Sequence, residues 1–182
     1  LSLENALDVL PNVATGLEKY LHIMSLTCQP DFHEKQEFRK RFNGFYRVRR
    51  SASDWQPHFY ALMGRARSEN MVFHQVLVEL HRLTGRVEAS FASKLYATLN
   101  TNAPVIDRFV LQNLDLELPA ATDPDRLEKI SGIYQALTES YGSFVQTAVG
   151  QSIVNAFKAR YTNSAPTVTP VKAIDLILWQ TR

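Results

Sequence analysis

Apolar residues recur three and four positions apart along almost the whole chain, which is the period of helices buried on one face. Leu3, Ala6, Leu7 and Leu10 form a short stripe that stops or kinks at Pro11. Val13, Leu17, Tyr20, Leu21 and Met24 resume it. Residues 31–42 read as a charged helix, with Asn43-Gly44 as its C-terminal stop. Phe45 to Arg49 alternate and read as extended. Ser53 is a cap residue for a helix running to about Arg67. Val72, Val76, Leu77 and Leu80 mark the next helix, about 70–83, which Gly85 breaks. Helix resumes over about Ala89 to Leu99, and Asn100 to Pro104 make a turn, because proline biases its predecessor away from helix. A further helix starts near Ile106. Asp123-Pro124-Asp125 opens the next one. Residues 143–161 read as one long helix, and Thr169-Pro170 opens the last, with Ile174, Ile177 and Leu178 as core. The expected fold is all-α, about eight or nine helices, with a helix-hairpin-helix element at about 70–100 or 70–110. Residues 1–182 read as a single helical domain or as two packed helical subdomains.

Composition narrows the class. A chain of 182 residues buries roughly 70% of its unfolded surface and supports a core without staples. With 45% hydrophobic and 21% charged residues, it is neither a disordered tail nor a coiled-coil rod. Its longest apolar runs fall short of the roughly 20 residues a bilayer requires, so no membrane partner is expected. Residues 1–22 carry Glu4, Asp8 and Glu18 and lack the pattern of a secretory signal. The single cysteine, Cys28, excludes a disulfide framework and a cysteine-ligated zinc. These features point to a cytoplasmic protein, nucleoid-associated if the source is a prokaryote.

The net charge of +2 hides an uneven distribution. Between Lys35 and Arg67 nine basic residues face two acidic ones, a balance of +7 that leaves −5 for the rest. Such polarity is the footprint of a polyanion partner. Arg47, Arg49 and Arg50 lie at its centre.

The stretch with most chemistry follows Gly85. A hairpin of Gly85-Arg86-Val87 leads into a helix that carries one lysine, Lys94, among Phe91, Ala92, Leu95, Tyr96 and Ala97. Desolvation there lowers a lysine's pKa and makes its amine more nucleophilic. Asp107 follows Ala103-Pro104-Val105-Ile106 at a helix start, where the helix dipole favours its ionised form. Hairpin backbone amides are a natural phosphate seat, although Glu88 brings a negative charge to the same place. Bland readings stand beside these. Lys94 on an apolar helix can snorkel to the surface or bridge to Asp107 or Glu88, and Asp107 can serve as a cap alone. Trp55 and Gln56 are candidates to stack on and hydrogen-bond a flipped base, and Trp55 equally suits the core.

The pair Ser93-Lys94, followed by Ala103-Pro104-Val105-Ile106-Asp107, resembles the helix-hairpin-helix DNA glycosylases, in particular their oxoguanine-glycosylase-fold branch. The resemblance covers about 30 of the 182 residues. It implies Lys94 as the nucleophile that attacks the sugar C1′ and holds it as a Schiff base. It implies Asp107 as the carboxylate supporting that attack, and Gly85 to Val87 as the phosphate-binding hairpin. The implied partner is duplex DNA bearing a damaged base, an oxidised purine, with no cofactor and no metal. The alternative is a non-enzymatic helical module, binding nucleic acid or protein, that keeps the fold without the chemistry.

Other chemistries find no support in the sequence. Among five histidines only His74 and His81 share a helix, two turns apart and roughly 10 Å along its axis. No phosphate loop and no strained serine elbow is present.

Overall fold

The computed structural model describes residues 1–181, and these contain helices and no strand. Nine α-helices have seven residues or more: α1 (Leu3–Val9), α2 (Ala14–Leu26), α3 (Gln36–Tyr46), α4 (Trp55–Ser68), α5 (Phe73–Thr84), α6 (Ala89–Leu99), α8 (Arg126–Gln146), α9 (Ala148–Arg160) and α10 (Pro170–Leu178). A shorter helix, α7 (Arg108–Asn113), lies between α6 and α8. The all-α class and the helix–hairpin–helix at α5–α6 are as the periodicity requires.

Consecutive helices pair: α2 on α3, α4 on α5, α5 on α6 and α8 on α9. Helix α5 also packs on α8, and α10 packs on α8, α9 and α1, closing the chain's end onto its start. Their buried side chains form one connected apolar cluster. Aromatic rings fill the space between α3 and α4, where Phe42 contacts Phe59 at 5.7 Å and Tyr60 at 6.0 Å. Helix α10 is buried at every position from Val171 to Leu178, as an interior helix must be when its partners surround it.

Four local expectations are corrected. Helix α3 does not stop at Asn43-Gly44 but continues to Tyr46, and Arg47 takes the left-handed cap position at φ 53°. Asn43 is held on α4 instead, donating to Gln56 Oε1 at 3.0 Å and accepting from the Tyr60 hydroxyl at 2.6 Å. Phe45 and Tyr46 are therefore the last turn of a helix, not part of an extended segment. Burial of Phe42 and Tyr46 outweighs the local stop signal. Ser53 does not cap α4; Asp54 occupies that position, and the Ser53 hydroxyl sits 3.0 Å from that of Ser51.

The single helix expected over 143–161 is broken between Gln146 and Ala148. Thr147 turns extended and its hydroxyl accepts from Gly150 N at 3.0 Å, starting α9 afresh. Gly150 is required there, because a Cβ at that position would fall on the Phe144 carbonyl oxygen. The break lets α9 fold back along α8.

Candidate functional site

The hairpin is built by helix termination. Gly85 ends α5 in the left-handed region at φ 69°, and its amide donates to the His81 carbonyl at 2.8 Å. The Arg86 amide faces the Thr84 hydroxyl at 3.4 Å. Two of the hairpin amides expected to be open for phosphate are thus committed within the turn.

Glu88, directly before α6, is buried and forms an ion pair with Arg50. The Arg50 guanidinium lies 5.5 Å from the centre of the Phe91 ring. The charge expected to repel phosphate at the hairpin is therefore covered by an arginine from the segment between α3 and α4.

One helical turn beyond Phe91, Lys94 is half-buried. Its ammonium donates to the Tyr46 carbonyl at 3.4 Å and lies 5.1 Å from the Phe91 ring centre. Burial lowers the Lys94 pKa from the usual lysine range, and the negative charge of Asp107 partly opposes that shift. Among the described residues Lys94 forms no ion pair with Asp107 or Glu88, so the expected bridge is not made, and Asp107 acts on the amine only through space.

Ser93 brings these two segments together. Fully buried, its hydroxyl accepts from Ile106 N at 2.8 Å and donates to the Ser90 carbonyl at 3.0 Å. This pins the residue before Lys94 to the residue before Asp107. A second tie holds the same strap, with the Tyr134 hydroxyl donating to the Pro104 carbonyl at 2.9 Å. Asp107 caps α7 with one oxygen, accepting from Phe109 N at 3.0 Å. The sequence marks Ser93 only as the first member of the Ser93-Lys94 pair and assigns it no role; the structure makes it the tie between the two segments.

The basic window divides into structural and open cations. Arg39 donates to the His33 carbonyl at 2.7 Å, and Arg67 to the carbonyls of Thr27 and Gln29 at 2.6 and 3.0 Å. Arg65 pairs with Glu79 at 2.7 Å, while Lys35 and Arg41 pair with Asp31 and Glu37. Lys40, Arg47, Arg49 and, in the hairpin, Arg86 are exposed and form no ion pair among the described residues. Four of the nine basic residues, Lys35, Arg41, Arg50 and Arg65, are thus paired with carboxylates, while Arg39 and Arg67 keep their charge on neutral carbonyls.

The two base-pocket candidates are built into the framework. Trp55 stacks on Phe59 at 4.7 Å and touches Phe91 at 5.0 Å. Gln56 donates to the Arg50 carbonyl at 2.9 Å and accepts from Asn43. Trp55 also lines a cleft of about 370 Å3 between α4 and the hairpin, together with Arg50, Ser51, His58, Thr84 and Arg86.

The largest departure from expectation is in α10, which the sequence marks only by the core residues Ile174, Ile177 and Leu178. Lys172 and Asp175 are both fully buried and meet at 2.7 Å. The Tyr141 hydroxyl approaches Asp175 at 3.5 Å, and the Tyr20 ring centre lies 5.3 Å from the Lys172 ammonium. Burial raises the Asp175 pKa, the Lys172 charge opposes it, and Asp107 adds a smaller upward push. The pair's sequence signal was two opposite charges three positions apart inside an otherwise apolar helix.

Among the described residues no group of three or more His, Cys, Asp or Glu could hold a metal ion. No helix among them is long and apolar enough to cross a membrane. In comparisons with known proteins, no family model, no curated protein and no solved structure matches this chain.

Proposed function

We propose that this chain binds DNA and processes a damaged nucleotide through a Schiff base on Lys94, in the manner of a glycosylase/lyase acting on an oxidised purine. The observation that carries the reading is the Lys94 amine, half-buried and with its pKa lowered by that burial, within the field of Asp107. A neutral amine is the attacking form. It adds to C1′ as the bond to the base breaks; the base leaves with the bonding electrons and takes up a proton. One amine proton passes to the departing base and the other to O4′, as the C1′–O4′ bond breaks and the C=N bond of the imine forms. Asp107 stabilises positive charge developing at the sugar. Arg47, Arg49 and Arg86 contact phosphates.

Borohydride trapping on duplex DNA containing oxoguanine or an abasic site tests this. The expected result is a covalent protein–DNA adduct that Lys94→Ala abolishes and Asp107→Asn weakens. No adduct across both duplexes overturns the enzyme.

A second reading is favoured by one contact. The Lys94 ammonium already donates to Tyr46 and lies over Phe91, which is sufficient employment for a structural lysine. On that reading the chain is a non-enzymatic binding module, and Lys94→Ala leaves its DNA affinity unchanged with no adduct in either protein.

A further inference from the structure

The cleft between α4 and the hairpin has the chemistry of an anion site carried by side chains. Arg50 and Arg86 line it with the imidazole of His58 and the indole of Trp55, while the hydroxyls of Ser51 and Thr84, also in the lining, donate to Asp54 and to the Leu80 carbonyl. Trp55 is 7% exposed, and its indole N–H has no hydrogen-bond partner. Arg86 is exposed and unpaired among the described residues.

Arg50 decides how the cleft works. Its side chain is 37% exposed, whereas that of Glu88 beneath it is 6% exposed. Arg50 is the only partner that Glu88 has among the described residues. If Arg50 left to follow a ligand, Glu88 would remain as a buried, uncompensated carboxylate, which is strongly disfavoured. Arg50 therefore stays, and a guanidinium with five donors can hold a carboxylate on one edge and an anion on another.

We infer that this cleft is a phosphate-binding clamp in which Arg50 and Arg86 hold the phosphate and Glu88 is the positioning residue that aims Arg50. The inference rests on reading the chain as a nucleic-acid binder, and it moves the contact from hairpin amides to side chains. Asp54, the one carboxylate lining the cleft, accepts from the Ser51 hydroxyl at 3.1 Å. It opposes the ligand and engages the Ser51 hydroxyl, but it orients neither guanidinium. Two carboxylates thus have opposite roles, and their neutral variants shift affinity in opposite directions.

The test is fluorescence anisotropy of a labelled duplex over a range of salt, with melting temperatures as the check on folding. Arg86→Ala, an exposed change that leaves the fold intact, is expected to lower affinity up to about tenfold and reduce the salt slope by about one. Arg50→Lys keeps a charge over Glu88 but loses the fork, and weakens binding. Glu88→Gln weakens binding several-fold, and Asp54→Asn strengthens it. Tighter binding by Glu88→Gln, or wild-type binding by Arg86→Ala, overturns the clamp. Inorganic phosphate serves as competitor. Competition lost in Arg86→Ala assigns the cleft to a free phosphate group, and its absence in wild type assigns it to the backbone phosphodiester. Failure of borohydride trapping with these affinity changes intact removes the lysine chemistry and leaves the clamp. Intact trapping with no affinity changes does the reverse.

Discussion

At the residue scale the functional reading depends on the protonation of Lys94. Its pKa is lowered from the ordinary 10.5 because burial disfavours the ammonium, while Asp107 favours it. The rate of adduct formation should therefore rise with pH and level off at a midpoint below 10.5. Asp107→Asn removes the opposing influence, so the midpoint should move to still lower pH even as the plateau falls. Trapping rates across pH for the two proteins check this, and an upward shift in Asp107→Asn would contradict it. The sequence placed Lys94 in apolar company and Asp107 at a helix start. It could not supply the Ser93 tie, because a 2.8 Å bond between residues 13 apart depends on how α6 and the Pro104 strap meet.

At the element scale α10 raises the question of why two charges are buried in the most enclosed helix. Taking two ions from water is costly, and their attraction repays this only with good geometry. Breaking the pair is worse than removing it. Lys172→Met alone should destabilise the protein by roughly 3–5 kcal/mol, because Asp175 is left unpaired. The double variant Lys172→Met/Asp175→Leu should recover most of that loss. Urea unfolding of the three proteins measures it, and equal losses in the single and double variants would show that the charge pairing is not the cause. The termini of these elements show how far sequence signals reach. Gly85 and Thr169 end or begin helices where the pattern indicated. Asn43-Gly44 does not, because Asn43 is held by Gln56 and Tyr60 on α4. Local stop signals are worth about 1 kcal/mol, less than burying an aromatic side chain.

At the scale of the whole molecule the charge polarity is weaker than it reads. Nine basic residues between Lys35 and Arg67 suggest an extensive polyanion face. In the fold Arg39, Arg65 and Arg67 fasten loops and helices to one another. If all seven net charges met phosphate, log affinity would fall with log salt at a slope near −6. The four open cations, Lys40, Arg47, Arg49 and Arg86, together with Arg50 of the clamp, give roughly −4.5 instead. Arg65→Ala should leave that slope unchanged and lower the melting temperature, since its partner Glu79 lies on α5. A slope near −6 for wild type, or a reduced slope in Arg65→Ala, would mean that the structural cations are released on binding.

Helical period, the turn at Gly85 and the capping position of Asp107 are written in short stretches of sequence, because each depends on residues within one or two turns. Tertiary structure alone decided which charges count. Lys94 is desolvated by α3, Glu88 is covered by Arg50, and Lys172 is enclosed with Asp175 among tyrosines from α2 and α8. Burial and charge pairing are made by segments distant in the chain. Tyr46 and Lys94 are 48 residues apart, and no local pattern records that they meet.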